Sequence, residues 1–190
     1  MWFEDLKINP LELLLSCGDP ALEFFAERDL LDGSPGNISD LWLLPTVKRL
    51  LKIQNSNGSW SYKGKRPREE LGENYELIET WRNIRVLIEM FGCDKRHLAI
   101  QKAAEYFFTC QTEEGDIRGI LSNQYMPYYM GAILELLIKA GYEKDTRVLK
   151  GMNWLLEMRQ NDGGWIIPMN MFKMQEYYSL CHKAPIPPEK

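Results

Sequence analysis

Three stretches of this chain close a helical pattern in the same way. They are Leu50-Leu51-Lys52-Ile53-Gln54-Asn55-Ser56-Asn57-Gly58-Ser59-Trp60, Phe107-Phe108-Thr109-Cys110-Gln111-Thr112-Glu113-Glu114-Gly115-Asp116-Ile117 and Leu155-Leu156-Glu157-Met158-Arg159-Gln160-Asn161-Asp162-Gly163-Gly164-Trp165. They align without gaps on the apolar pair and on Gly58, Gly115 and Gly163, which stand 57 and 48 residues apart. Each residue type has a task in such a turn. Glycine permits a positive φ where a helix stops. A glutamine amide satisfies free backbone groups at a helix end, and tryptophan packs across it and excludes water. Two departures stand out: Ile117 replaces the tryptophan in the second copy, and Arg159 holds the glutamine position in the third, with Gln160 one residue late. A repeat of this period is one helical hairpin, and internal repeats decide the fold before any motif does.

Between these turns the apolar spacing is helical and strand alternation is nearly absent. Asp19-Pro20 opens a helix to about Leu30, and Asp40 is expected to cap a second that runs to about Gln54. From Tyr75 to Phe91 the stripe Leu77, Trp81, Ile84, Ile88 and Phe91 is the clearest. Asp94 is expected to cap a helix to Cys110, with Ile100, Ala103, Ala104 and Phe107 inward. A further helix is expected over 124–140, with Met130, Ile133 and Leu137 inward. The last, over 144–158, carries Val148, Met152 and Leu155. Short connections make these antiparallel hairpins of an all-α fold.

The three copies resemble the glutamine-tryptophan repeat of squalene and hopene cyclases, shared in looser form by protein prenyltransferases. The resemblance covers roughly Asp40 to Pro168 and implies a partial α/α toroid. The implied division is a helical N-terminal segment over 1–39, a repeat domain over 40–180 and a Pro-rich tail over 181–190. It also implies that Trp60 and Trp165 are buried against the helix ends that precede them. Inner helices of such a toroid line a cavity. By resemblance these are 75–91 and 124–140, so Glu79, Arg82, Arg85, Gln124, Tyr125, Tyr128 and Tyr129 are the candidate ligand residues on the concave face. Two bland readings stay open: Glu79 and Arg82 as a simple i,i+3 pair, and the tyrosine run as core packing.

No reaction is legible. The Asp-x-Asp-Asp acid of hopene-type cyclases, the Asp-Asp-x-x-Asp metal motif and the Gly-Cys-Gly-Glu-Gln thioester motif are all absent from the sequence. Asp29 and Asp32 are the closest aspartates, at a helix end. Cys181-His182 are adjacent without a supporting carboxylate, so zinc is not expected, and His97 reads as a surface residue. No catalytic residue, cofactor or metal is assigned. The basic loop Lys63-Gly64-Lys65-Arg66-Pro67-Arg68 reads as a solvated turn balanced by Glu69 and Glu70, or as an anion site.

Two readings compete on function. One is a noncatalytic repeat protein that binds an apolar, isoprenoid-like ligand or a protein partner. The other is an enzyme: an isoprenoid transferase or cyclase whose catalytic half lies elsewhere, or a carbohydrate-active α/α barrel. Full toroids of the superfamily stack about six hairpins, whereas this chain supplies three or four. Self-association or a missing C-terminal domain follows, with the apolar run from Ile166 to Met174 as the expected face. A net charge of −4 argues against nucleic acid as a partner. The N-terminus lacks a signal-peptide pattern, no apolar run reaches bilayer length, and the four cysteines form no CxxC pair. These features suggest a reducing, cytoplasmic setting.

Overall fold

A computed structural model describes residues 6–69, 72–122 and 124–165. The order of elements is α1 (Pro10–Leu15), α2 (Pro20–Leu30), a 3-10 helix (Ile38–Leu43), α3 (Pro45–Lys52), α4 (Tyr75–Glu89), α5 (Leu98–Thr109), α6 (Pro127–Leu137), a wide turn (Ile138–Tyr142) and α7 (Thr146–Glu157). The fold is all-α, and among the described residues there is no strand, only isolated bridges such as Gln54 with Trp60 and Gln111 with Ile117. The short α1 is an addition to the helices expected from periodicity.

Helix starts follow local chemistry, and two of them move from where the acidic residues suggested. The Asp19 carboxylate accepts the N–H groups of Ala21 and Leu22, as expected. Asp40 caps nothing: Asn37 caps the 3-10 helix instead, and α3 begins at Pro45. Asp94 is drawn into bonds with the backbone and guanidinium of Arg96. That leaves His97 to cap α5, its Nδ1 accepting from Ala99 N–H. The helix expected over 124–140 is regular only from Pro127 to Leu137, because the chain then widens into a turn that ends at Gly141 with φ +93°.

One core joins these elements. Leu77, Ile84, Ile88 and Phe91 of the first stripe are buried, as are Ile100, Ala103, Ala104 and Phe107 of α5 and Met130, Ile133 and Leu137 of α6. On α7 the inward face is rotated. Val148 is buried as expected, but Met152 and Leu155 are only half-buried, and Gly151 and Trp154 go inward instead. The cause is close approach. Gly151 leaves room for the side chains of Met130 and Leu134 from α6, and Trp154 stacks on Tyr125 with centroids 5.9 Å apart.

The repeated turns are nearly superposable in their bonding. In turn 1 (54–60), Gln54 Nε2 donates to Gly58 O at 3.0 Å, and Trp60 Nε1 donates to Leu50 O at 2.9 Å. In turn 2 (111–117), Gln111 Nε2 donates to Gly115 O at 2.7 Å. In turn 3 (159–165), Arg159 Nε takes over the glutamine's bond, donating to Gly163 O at 2.9 Å, and Trp165 Nε1 donates to Leu155 O at 2.7 Å. The gap-free alignment is therefore the structural one, and Gln160 lies outside the glutamine's role. Trp60 is buried, but Trp165 is 41% exposed, which corrects the expectation that both are covered.

Candidate functional site

Helices α4 and α6 lie side by side, and their outward-facing surfaces, with α7 and turn 3, enclose a groove of about 550 Å3. The residues that line it follow from helical spacing. Trp81, Arg85 and Glu89 recur every four residues on α4, while Tyr128, Gly131, Ala132 and Glu135 share a face of α6. Gly131 and Ala132 keep the floor low, and Leu136, Leu155 and Trp165 supply apolar wall. Trp81 meets Tyr129 edge-on at 5.5 Å. The Arg85 guanidinium lies 5.3 Å from the Trp81 centroid, a cation–π distance. Arg85 also reaches Glu89 at 3.8 Å, while Lys139 holds Glu89 and Glu135 at 3.0 and 2.7 Å. The rim is thus charged and the interior mostly apolar.

The seven residues expected to share one concave face are divided by the structure. Arg85 and Tyr128 line the groove, and Tyr129 supports Trp81 beside it. Glu79 and Arg82 pair with each other at 3.5 Å, the plain i,i+3 contact. Glu79 also lies in a smaller cleft of about 310 Å3 with Tyr62, Lys63 and Asn83. Gln124 and Tyr125 are buried. Tyr125 belongs to the core: its hydroxyl donates to Glu114 at 3.0 Å, and the Arg118 guanidinium lies 4.3 Å from its ring centroid. Burial pushes the Tyr125 phenol above its ordinary range, with the bond to Glu114 adding to that. Trp81, Leu155 and Trp165 were not among the candidates. Trp81 and Leu155 were assigned to core stripes, and Trp165 reaches the groove through the way turn 3 folds back.

Other chemistry is accounted for structurally. Burial, with Asp94 adding, pushes the Cys93 thiol up to about 12, and burial also raises Cys110, so neither carries the thiolate a nucleophile needs. Among the described residues no group of three His, Cys, Asp or Glu side chains could hold a metal. Cys181-His182 and the apolar run from Ile166 to Met174 lie outside them. In the basic loop Arg66 pairs with Glu76 at 2.6 Å and Glu69 at 3.2 Å, and Arg68 with Glu73 at 3.3 Å. Both guanidiniums thus have carboxylate partners, Glu69 among them as expected, with Glu76 and Glu73 adding two that the sequence did not suggest; Glu70 lies outside the described residues. His97 is half-buried at a helix start, not a surface residue, and Trp42 meets its ring edge-on at 5.6 Å. Among the described residues no helix is long and apolar enough to cross a membrane.

The chain is similar to a squalene–hopene cyclase of Zymomonas mobilis, 30% identical over 156 residues. That match takes in 75% of this chain but 21% of the cyclase, so the chain spans about a fifth of the length of the curated relative it matches. No family model matches the chain. No solved structure matches it significantly.

Proposed function

We propose that this chain forms an arc of a cyclase-like α/α toroid, its repeat domain over 40–180, and binds an apolar, isoprenoid-like molecule in the groove between α4 and α6. The observation that carries this is the groove's make-up. Trp81, Tyr128, Leu136, Leu155 and Trp165 offer a continuous apolar wall, and Arg85 stands at its edge. Small-molecule pockets, on the order of 300–1,000 Å3, combine apolar and aromatic walls with a few placed polar groups, as this groove does. Similarity to a squalene–hopene cyclase supports an isoprenoid over other apolar ligands. The guanidinium adds a point of attachment for an anionic head group.

Farnesol and farnesyl diphosphate, titrated separately into the full chain by calorimetry, test the reading. Saturable 1:1 binding of both is expected, tighter for the diphosphate. Trp81→Ala is expected to weaken both by about tenfold, which is about 1.4 kcal/mol. Arg85→Ala is expected to remove the preference for the diphosphate alone. Absence of saturable binding, or binding indifferent to Trp81→Ala, would refute the groove as the site.

A further inference from the structure

Charge is segregated along the first third of this chain. Residues 6–44 hold seven acidic side chains against two basic ones, and residues 45–68 hold seven basic side chains and no acidic one. Among the described residues no ion pair joins the two segments. The basic segment is only partly balanced by its neighbours. Arg66 and Arg68 have the carboxylate partners already described, whereas Lys48, Arg49, Lys52, Lys63 and Lys65 are exposed and have none among the described residues. On the acidic side Arg28 engages Asp29 at 2.6 Å, which leaves Asp19, Glu23, Glu27 and Asp32 without a cation there.

Both sets form faces. Asp19, Glu23 and Glu27 recur every four residues, so they share one side of α2 over about 12 Å. Gly33 lies against the Glu27 side chain and brings the neighbouring Asp32 to the end of this row. Lys48 and Lys52 are likewise four apart on α3, with Arg49 three before Lys52. Ile53, the next residue, lines the cleft of about 310 Å3 together with Lys63, so the basic loop adjoins the end of α3. Like charges four apart on a helix repel. Helix dipoles account for Asp19 at the start of α2 and Lys52 at the end of α3. They do not account for Glu27 in the last turn of α2 or Lys48 in the first turn of α3, which both oppose the dipole of their own helix. The basic face is also held firmly. Turn 1, which follows α3, is joined to α5 by Gln54 Nε2 donating to Ala99 O at 2.9 Å. Turn 2 repeats that joint on α7, with Gln111 Nε2 donating to Arg147 O at 2.9 Å.

We infer that this chain pairs with a second copy of itself, the acidic face of α2 in one copy lying on the basic face of α3 and residues 63–65 in the other. Two helical rows of opposite sign, each uncompensated within its own copy, are complementary between copies. Glu27 and Lys48, the charges that oppose their own helix dipoles, gain most from the opposite face. Leu22 beside the acidic row and Ile53 beside the basic one are 47% and 48% exposed and supply the apolar part of the contact. Complementary charge also steers the encounter and fixes the direction in which the copies meet. The two faces are unlike, so the contact closes as a reciprocal dimer or extends as a row of copies. The inference goes beyond the groove between α4 and α6 and does not depend on a ligand there.

Sedimentation equilibrium of the full chain at about 50 and about 500 mM salt tests this, since the higher concentration screens exposed charges. Two charge-reversed variants are compared with the unmodified chain: Lys48→Glu with Lys52→Glu, and Glu23→Lys with Glu27→Lys. The unmodified chain is expected to associate at low salt and to dissociate at high salt. Each variant alone is expected to associate more weakly by about tenfold or more. A 1:1 mixture of the two variants, and a chain carrying all four reversals, are each expected to associate again. Should the acidic-face variant lose its cooperative melt, Glu23→Gln with Glu27→Gln replaces it, and its mixture with the basic-face variant is still expected to associate. A chain that stays monomeric at low salt would overturn the inference, including one whose basic face retains anionic phospholipid vesicles instead. So would association indifferent to salt or to either variant, or a mixture that stays monomeric.

Discussion

Turns 1 and 3 make the same internal hydrogen bonds and differ in what lies against them. In turn 1 the indole of Trp60 is 1% exposed, and the loop is pinned to α5 through Gln54. In turn 3 the indole makes the same bond to the carbonyl ten residues back but is 41% exposed. The turn is therefore a local structure, formed by a helix end, one donor side chain, a glycine and one aromatic. The burial that makes it stabilising comes from the next hairpin. Helical repeat proteins share this division between what a unit forms by itself and what its neighbour adds.

Tryptophan truncation should separate the two contributions most widely. Trp60→Ala is expected to cost about 3–5 kcal/mol, the usual range for removing a large aromatic from a packed core. It also leaves the Leu50 carbonyl without the indole Nε1 donor at 2.9 Å, while the backbone N–H at position 60 keeps its bond to Thr80 Oγ1. Trp165→Ala is expected to cost less than about 1 kcal/mol, as suits a half-exposed side chain. Urea unfolding of the two variants at low protein concentration measures both. Equal losses would mean that the third turn is covered as fully as the first.

The glycines sharpen the same contrast. Gly58 and Gly163 have nearly identical positive φ values, +90° and +88°, so an alanine carries the same backbone strain at either, roughly 1–2 kcal/mol. Only at Gly58 does the new methyl also strike the backbone of α5. Gly58→Ala should exceed Gly163→Ala by about 1–3 kcal/mol, the overpacking cost alone. Matching losses would remove docking as the reason that glycine stands at position 58.

Much of this could be read in the chain itself, and the parts that could not have a common cause. Helix cores were legible because Leu77, Ile84 and Ile88, or Ile100, Ala103 and Phe107, repeat with the period of the helix. The turns were legible because Gly58, Gly115 and Gly163 align. Helix starts were less so: Asp94 was the expected cap of α5, but the guanidinium of Arg96 engages it and His97 caps instead. Groove residues were the least legible. Arg85 and Tyr128 carried a polar signal, but Trp81 looked like core, and Leu155 and Trp165 join the groove through tertiary packing that no local pattern encodes. Arg159 stood out as a departure from the repeat, yet its Nε makes the bond to Gly163 O that a glutamine amide makes in the other turns.

Removing the donor side chain gives a smaller difference. Gln54→Ala and Gln111→Ala each delete a bond to their own turn and one to the next helix, about 1–2 kcal/mol apiece for partly buried carbonyls. Arg159→Gln, which restores the repeat's usual residue, is expected to change stability by less than about 0.5 kcal/mol, because either side chain can reach Gly163 O. Thermal melts of the three variants are sufficient. A loss at Arg159→Gln comparable to that at Gln54 would show that the arginine does more than substitute.

The smallest effect distinguishes the two docked joints by pH. The helix under turn 1 is capped by His97, and the one under turn 2 by Asp145, whose carboxylate accepts Arg147 N–H at 2.9 Å. His97 must be neutral at Nδ1 to accept from Ala99. Burial holds its pKa below the ordinary 6.5, although Asp94 pulls the other way. An unfolded chain therefore takes up the proton first, so the stability from this cap is whole above about pH 6.5 and is lost as pH falls below it. Asp145 behaves in the same sense but lower on the scale. Its pKa is depressed below 3.8, chiefly by the bond from Arg147, so its cap is complete above that value and fails only under stronger acid. As pH falls from 6.5 toward 3.8 the first joint should loosen while the second holds. Hydrogen exchange at the Ala99 and Arg147 amides, corrected for intrinsic rates, reads the two caps separately. Protection should fall at Ala99 alone in that interval, and His97→Asn, which keeps an uncharged acceptor, should abolish the fall. Parallel loss at both amides would show that acid acts on the whole fold and that the joints are not distinguished by their caps.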